Sequence, residues 1–313
     1  MNVIGIDIGG TTVKGAVCTS EGYVLRETAV RTQAQEGKAR ILAGMSAVVE
    51  DLVSAHPDAA AIGIGSAGRI DPETGIVVYA TDNLPGWQGT NLSEWGKQSF
   101  GLPAFADNDA NTALLGEIWQ GAVQGEQDAV MLTLGTGVGG ANFIGGRMVC
   151  GAHCSGGDWG HVILYPDGRP CNCGKRGCAE QYVSGTGLVR LASEACGTVF
   201  ENGQQVFAAA EAGMKAAVET VEQFARNLAL ITLNVMHSLD PQAIVIGGGV
   251  VDAKEAWWGR YRKAVASMSA PAIEPQIVPA LLGNTAGYIG AAKLALDRME
   301  EETQRWNKNK RTS

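Results

Sequence analysis

The stretch VIGIDIGGTTVKGAV, residues 3–17, decides how this chain is read. An apolar run from Val3 to Ile8 stops at a Gly-Gly-Thr-Thr turn, and a second apolar run follows. The pattern predicts a β-hairpin whose turn presents backbone N–H groups and hydroxyls. Gly9 and Gly10 let the backbone approach an anion closely, and Thr11 and Thr12 add donors. Asp7, at the strand end, is placed to hold Mg2+ through water. Lys14 reads either as a cation for the same anion or as an ordinary hairpin lysine. One such turn is weak evidence, but AVMLTLGTGVGGANF, residues 129–143, repeats it with Thr136, Gly137 and Gly139. Two similar hairpins in one chain suggest two related α/β lobes with a cleft between them. Neither loop has Walker or Rossmann spacing.

Working outward, AIVIGGGVV (residues 243–251) reads as a buried strand opening into a turn at Gly247, Gly248 and Gly249. Helical spacing of apolar residues covers Lys38–Ala55, Asn111–Gln120 and Gly287–Met299. Phe207–Asp240 reads as helical throughout, stopped by Pro241. Strands alternating with covering helices predict an α/β fold. The expected division is 1–117 and 118–286, with a last helix at about 287–305 returning to the first lobe.

Composition narrows the partners. The 313 residues carry 45% apolar and 18% charged side chains, and no apolar run is long enough to span a bilayer. A net charge of -8 disfavours nucleic acid. The N-terminus opens directly on a strand without a basic leader, which predicts a cytoplasmic protein. Three of the seven cysteines cluster, and Cys18, Cys150, Cys154 and Cys196 show no pairing pattern.

The cluster lies in GHVILYPDGRPCNCGKRGC, residues 160–178. Cys171, Cys173 and Cys178 fall within eight residues, and His161 stands ten residues upstream. This Cys3His set suits a closed tetrahedral Zn2+ site, with a strained Cys171–Cys173 disulfide or ordinary buried thiols as alternatives. The GGDWGH segment tied down by His161 also carries Asp158. A further acidic group is FADNDAN, residues 105–111, where Asp107, Asn108 and Asp109 follow a short apolar run. Carboxylates at a strand's carboxyl end line the ligand crevice of open sheets and can take a proton from a hydroxyl. One of these side chains could instead cap the next helix.

In this order, DIGGTTVKG, DNDAN, LGTGVGG, GGDWGH, CNCGKRGC-A-E and VIGGGV resemble the ROK family of sugar kinases, from residue 3 to about 295. The resemblance implies an actin-like fold of two ribonuclease-H-like lobes, a structural Zn2+, and ATP with Mg2+ held at the first two Gly/Thr loops. It also implies a homodimer, and a Gly247–Gly249 turn lying against adenosine. By position, Asp109 matches the catalytic base, which accepts the proton of a sugar 6-hydroxyl as that oxygen attacks the γ-phosphorus. Asn108, Gly68, Asn83, His161 and Glu180 match sugar contacts. Asp158 stands where the family usually has Glu, one methylene longer, which weakens the direct contact expected there. Arg69 and Thr81 in GSAGRIDPETGIVVYATDN resemble N-acetylmannosamine kinases, whereas NLPGW, residues 83–87, is similar to bacterial glucokinases. Two rivals remain at this level: a sugar-sensing repressor, for which no helix-turn-helix precedes the loop beginning at Asp7, and a non-catalytic sugar-binding protein.

Overall fold

A computed structural model of the chain describes residues 1–81, 83–269 and 275–312. The elements run β1 (Asn2–Ile8), β2 (Thr12–Thr19), β3 (Val24–Arg31), α1 (Lys38–Ala55), β4 (Ala59–Ser66), β5 (Arg69–Asp71), β6 (Ile76–Tyr79), α2 (Leu92–Phe100), β7 (Ala104–Asn108) and α3 (Asp109–Gln120). They continue with β8 (Ala129–Leu134), β9 (Val138–Ile144), β10 (Arg147–Met148), α4 (Glu180–Val183), α5 (Gly185–Cys196), α6 (Gly203–Glu211) and α7 (Lys215–Leu239). The last are β11 (Ala243–Gly247), α8 (Trp258–Met268), β12 (Gln276–Pro279) and α9 (Ala286–Thr312).

The chain divides into two compact units: Met1–Gly125 with Cys150–Ser155 and Asn284–Ser313, and Glu126–Val149 with Gly156–Gly283. Residue 117 lies inside α3, all of which belongs to the first unit. Each unit is built on a sheet of the same topology. In the first the order is β3-β2-β1-β4-β7, with β1, β2 and β3 antiparallel and β1, β4 and β7 parallel. In the second it is β10-β9-β8-β11-β12, again an antiparallel trio followed by a parallel set. β1 and β4 are apolar along almost their whole length because helices cover both faces, as the parallel part of a sheet requires. Ile4, Ile6, Ile62 and Ile64 pack with Ile41, Met45 and Leu52 of α1 in the first core. Val130, Leu132, Ile244 and Ile246 pack with Phe224, Leu228, Trp257 and Tyr261 in the second.

α9 is seated through glycine. A methyl group on Gly5, Gly63, Gly116 or Gly290 would come inside 3.0 Å of backbone: of Tyr288, Ala291, Ala286 and Thr112 respectively. Bare glycine faces therefore let α9 lie directly on β1 and β4 and let α3 cross α9 backbone to backbone.

Three elements differ from the sequence expectation. The helix expected over Phe207–Asp240 is two, α6 and α7, broken where Gly213 takes a φ of 84°. α3 begins at Asp109 rather than Asn111, because Asn108 supplies its cap. α9 runs on to Thr312, its exposed last turns continuing the helix past Met299.

Candidate active site and metal cluster

In the first unit, register brings the acidic groups to one sheet end. Asp7, Gly65 and Asp107 lie in one row across β1, β4 and β7, and Ile8, Ser66 and Asn108 form the next. All three strands are parallel, so their carboxyl ends open at the same edge. Lys14 is the cross-strand partner of Asp7, and its Nζ donates to Asn284 Oδ1 at 3.5 Å. The turn between them is closed by Gly9 N–H on Thr12 O at 3.0 Å. Thr32 braces it, donating its N–H to Thr11 O at 2.9 Å and its hydroxyl to Gly9 O at 2.7 Å. Gly10 and Thr11 are left exposed at the tip.

The β7–α3 junction is wired in detail. Asn108 Oδ1 accepts from Ala110 N–H at 2.9 Å and Asn111 N–H at 3.4 Å, while its Nδ2 donates to Gly68 O at 2.8 Å. Asn108 is thus the helix cap, the plainer of the two sequence readings for this segment, and it also pins Gly68, whose φ is 103°. Asp109 opens the helix, half-buried, with Oδ1 accepting from Ala110 N–H at 2.9 Å. Burial raises its proton affinity. The Asp7 carboxyl is pushed up to about 6, chiefly by burial and then by the Asp109 charge, with Lys14 opposing.

Asp107 reads from sequence either as a crevice carboxylate or as a helix cap; the cap is Asn108, and Asp107 is the most buried carboxylate here, at 4% exposed. Its Oδ1 accepts from Asn108 N–H and Asn111 Nδ2, both at 2.7 Å, and Cys150 Sγ lies 4.0 Å from Oδ2. Burial pushes its pKa up to about 6 against the pull of those two bonds. Asn111 and Cys150 carried no sequence signal at all, since residue 150 reaches this network only through the fold. Arg69 lies 5.2 Å over the Tyr79 ring, while Thr81 and Asn83 are exposed in the turn closed by Leu84 N–H on Thr81 O at 3.0 Å.

In the second unit, the ligand atoms of His161, Cys171, Cys173 and Cys178 all lie within 4.8 Å of one another. Cys171 Sγ is 3.7 Å from His161 Nδ1, and Cys173 Sγ is 3.5 Å from Cys178 Sγ. A tetrahedral zinc with bonds of about 2.3 Å to sulfur and about 2.0 Å to nitrogen has edges of about 3.5–3.8 Å. The donor set therefore fits Zn2+, with Nδ1 as the imidazole ligand and Nε2 left for other work. All seven cysteines are free, which removes the disulfide alternative.

Beside this cluster sits the second Gly/Thr turn. Thr136 is exposed at its tip, and Gly135 N–H closes it on Gly137 O at 3.0 Å. Glu180 Oε2 accepts from Val138 N–H at 3.2 Å. Asp158 is half-buried, and its carbonyl takes the His161 N–H at 3.0 Å. Gly247 ends β11 buried against Met131, Gly248 packs on Leu134 with a φ of 84°, and Gly249 is open.

Two sheets of one topology, each opening on a Gly/Thr turn, give this chain an actin-like fold. Residues 3–298 match the model of the ROK family, and the chain belongs to that family. It is 34% identical over 311 residues to a glucokinase of Halalkalibacterium halodurans, covering 93% of this chain and 94% of that protein. It is 31% identical over 297 residues to an N-acetylmannosamine kinase of Shigella flexneri, covering 94% and 98%. Among solved structures, a ROK family glucokinase from Streptomyces griseus in complex with glucose and AMPPNP is 33% identical and superimposes with a TM-score of 0.82. That match spans 95% of this chain and 100% of the other.

Proposed function

We propose that this protein transfers the γ-phosphate of ATP to the 6-hydroxyl of a hexose or N-acetylhexosamine, with N-acetylmannosamine and glucose the leading substrates. The observation that carries the reading is Asp109, a carboxylate at the head of α3 whose charge acts on Asp7 and whose proton affinity is raised by burial. An ordinary carboxylate is a feeble base near neutrality, and desolvation moves it toward the range where proton transfer is effective. The sugar oxygen bonds to the γ-phosphorus, the bond to the bridging oxygen breaks, ADP departs, and the hydroxyl proton passes to Asp109. Backbone donors of the Gly9–Thr12 and Thr136–Gly137 turns hold the phosphate oxygens, with Lys14 adding charge to the first. Asp7 would hold the Mg2+ that accompanies the nucleotide, an ion that neutralises phosphate charge. Gly247–Gly249 would lie along the adenosine.

Sugar recognition in this reading draws on Gly68, Asn83, Asn108, Asp158, Glu180 and His161 Nε2, with His161 Nδ1 on the zinc. Arg69 and Thr81 are assigned to the C2 substituent, where relatives named for glucose and for N-acetylmannosamine must differ. A homodimer belongs to the same proposal. The test is a coupled ADP-release assay across C2-variant sugars, run on the wild type and Asp109→Asn. Sugar-dependent release, lowered about 10²- to 10⁴-fold in the variant with sugar binding retained, is the expected result. Near-normal turnover in Asp109→Asn, or release indifferent to sugar, would overturn it.

A further inference from the structure

Glu180 touches two things that sequence places far apart. Its Oε2 accepts the Val138 N–H at 3.2 Å, 42 residues upstream, and its Oε1 lies 3.9 Å from Cys171 Sγ in the metal cluster. A methyl on Gly137 would collide with the same carboxylate. Five residues further on, Gly185 N–H donates to Gly135 O at 2.8 Å. The Gly135–Val138 turn is therefore gripped at both ends by residues that directly follow Cys178. The other flank is held by the segment carrying His161. There Trp159 Nε1 donates to Asn142 Oδ1 at 2.8 Å, and a side chain on Gly160 would strike Val138 O. Two strips of chain, 157–161 and 178–185, thus clamp the start of β9; the four-ligand cluster ties them together beside the Ala179 N–H bond to Val162 O at 2.9 Å.

We infer that Glu180 is a positioning residue through which the metal cluster sets the shape of the second phosphate turn, so that loss of the metal weakens nucleotide binding directly. The inference rests on the nucleotide role proposed for that turn. Its physical basis is entropic. A Gly-rich turn has many conformations, and an anion-binding arrangement must be selected before phosphate can use its N–H groups. The Glu180 carboxylate fixes the Val138 end and leaves the Thr136 and Gly137 amides outside its own bond. With four ligands unpinned, no ion holds the His161 segment against the cysteine loop, and the loosened loop lets Glu180 move away from Val138.

The experiment measures AMPPNP binding by calorimetry without sugar, on zinc-loaded wild type, Glu180→Ala and Glu180→Gln, each also after chelation, with metal content measured in every sample. Glu180→Ala should bind about tenfold more weakly, while Glu180→Gln, which keeps an oxygen acceptor, should stay within about threefold. Chelation should weaken the wild type by a similar factor and Glu180→Ala far less, since the link is already cut. Equal affinities in wild type and Glu180→Ala, or an equal chelator effect in both, would overturn the inference. Hydrogen exchange at the Val138 amide decides the matter without nucleotide, and also where Glu180→Ala fails to fold. Metal removal from the wild type should speed that exchange, and unchanged protection sinks the link. Wild type that binds no AMPPNP while its Val138 amide still responds to metal would instead count against the kinase reading alone.

Discussion

Replacing Gly290 with alanine should damage both stability and turnover, although alanine is the better helix former. The new methyl would fall inside 3.0 Å of Thr112 C, Thr112 O and Gly116 N, all backbone atoms of α3. No rotamer change relieves a collision with backbone, so α3 and α9 must separate by roughly 2 Å before ordinary contact returns. Overpacking of this kind costs about 1–3 kcal/mol. The upper end applies where the obstacle is main chain, and the gain in helix propensity offsets about 1 kcal/mol. A net loss of about 2 kcal/mol should lower the melting temperature by several degrees for a unit of this size. Asp109 heads the displaced helix, and a shift of about 1 Å in a reacting group can cost about 10²-fold in rate. Thermal denaturation followed by circular dichroism and the ADP-release assay read the two effects. Gly259→Ala in α8 is the control, because nothing lies within 4 Å of the added methyl. A Gly290→Ala protein that melts and turns over like wild type would refute the claim that bare glycine seats α3 on α9.

Three other outcomes follow from the same geometry. Chelation, or Cys178→Ser, should lower the melting temperature by more than about 5 °C, since four ligands on one ion tie the His161 segment to the cysteine loop; unchanged melting after verified metal loss refutes the site. Turnover should fall as pH drops through about 6, because the Asp7 carboxyl takes up its proton there and no longer serves as an anion, while burial raises the Asp109 carboxyl in the same direction; a flat profile from pH 8 to 5 contradicts this. Asp107→Asn should reveal a stability linkage of defined sign. A carboxyl raised from 3.8 to about 6 binds its proton more tightly when folded, so wild type gains stability as pH falls from about 7 to about 4. The full effect is at most about 3 kcal/mol. The melting difference, wild type minus variant, should therefore grow toward acid, and a constant difference rules the linkage out.

Much of the fold could be read because local signals agreed. The hairpin turns stand out where apolar runs break at Gly and Thr, and α1 begins and ends where its apolar spacing does. β3 left no trace: VLRETAVR is mostly exposed, an edge strand held by pairing with β2 rather than by burial. The α6–α7 break was hidden because Ala-rich periodicity continues on both sides of Gly213, and one glycine is tolerated in a helix unless the chain turns there. The metal cluster was legible because its cysteines are close in sequence, so spacing alone fixes their convergence. Asp109 and Asn108 were legible by position. What Asp107 and Glu180 hold was not, since Cys150 and Val138 meet them only through packing across 43 and 42 residues. Sequence spacing reports neighbours along the chain, and these contacts are neighbours only in space.

The last helix has a consequence for biosynthesis. β1 and β4 are made early, but the surface exposed at Gly5 and Gly63 is finished only by residues from Ala286 onward. Glu126–Val149 and Gly156–Gly283, the whole of the second unit, leave the ribosome before that cover arrives. The second unit can thus complete its own core while the first waits, half-roofed, for α9 to be made. A premature stop near residue 285 would leave the segment bearing Asp109 without the support that holds it.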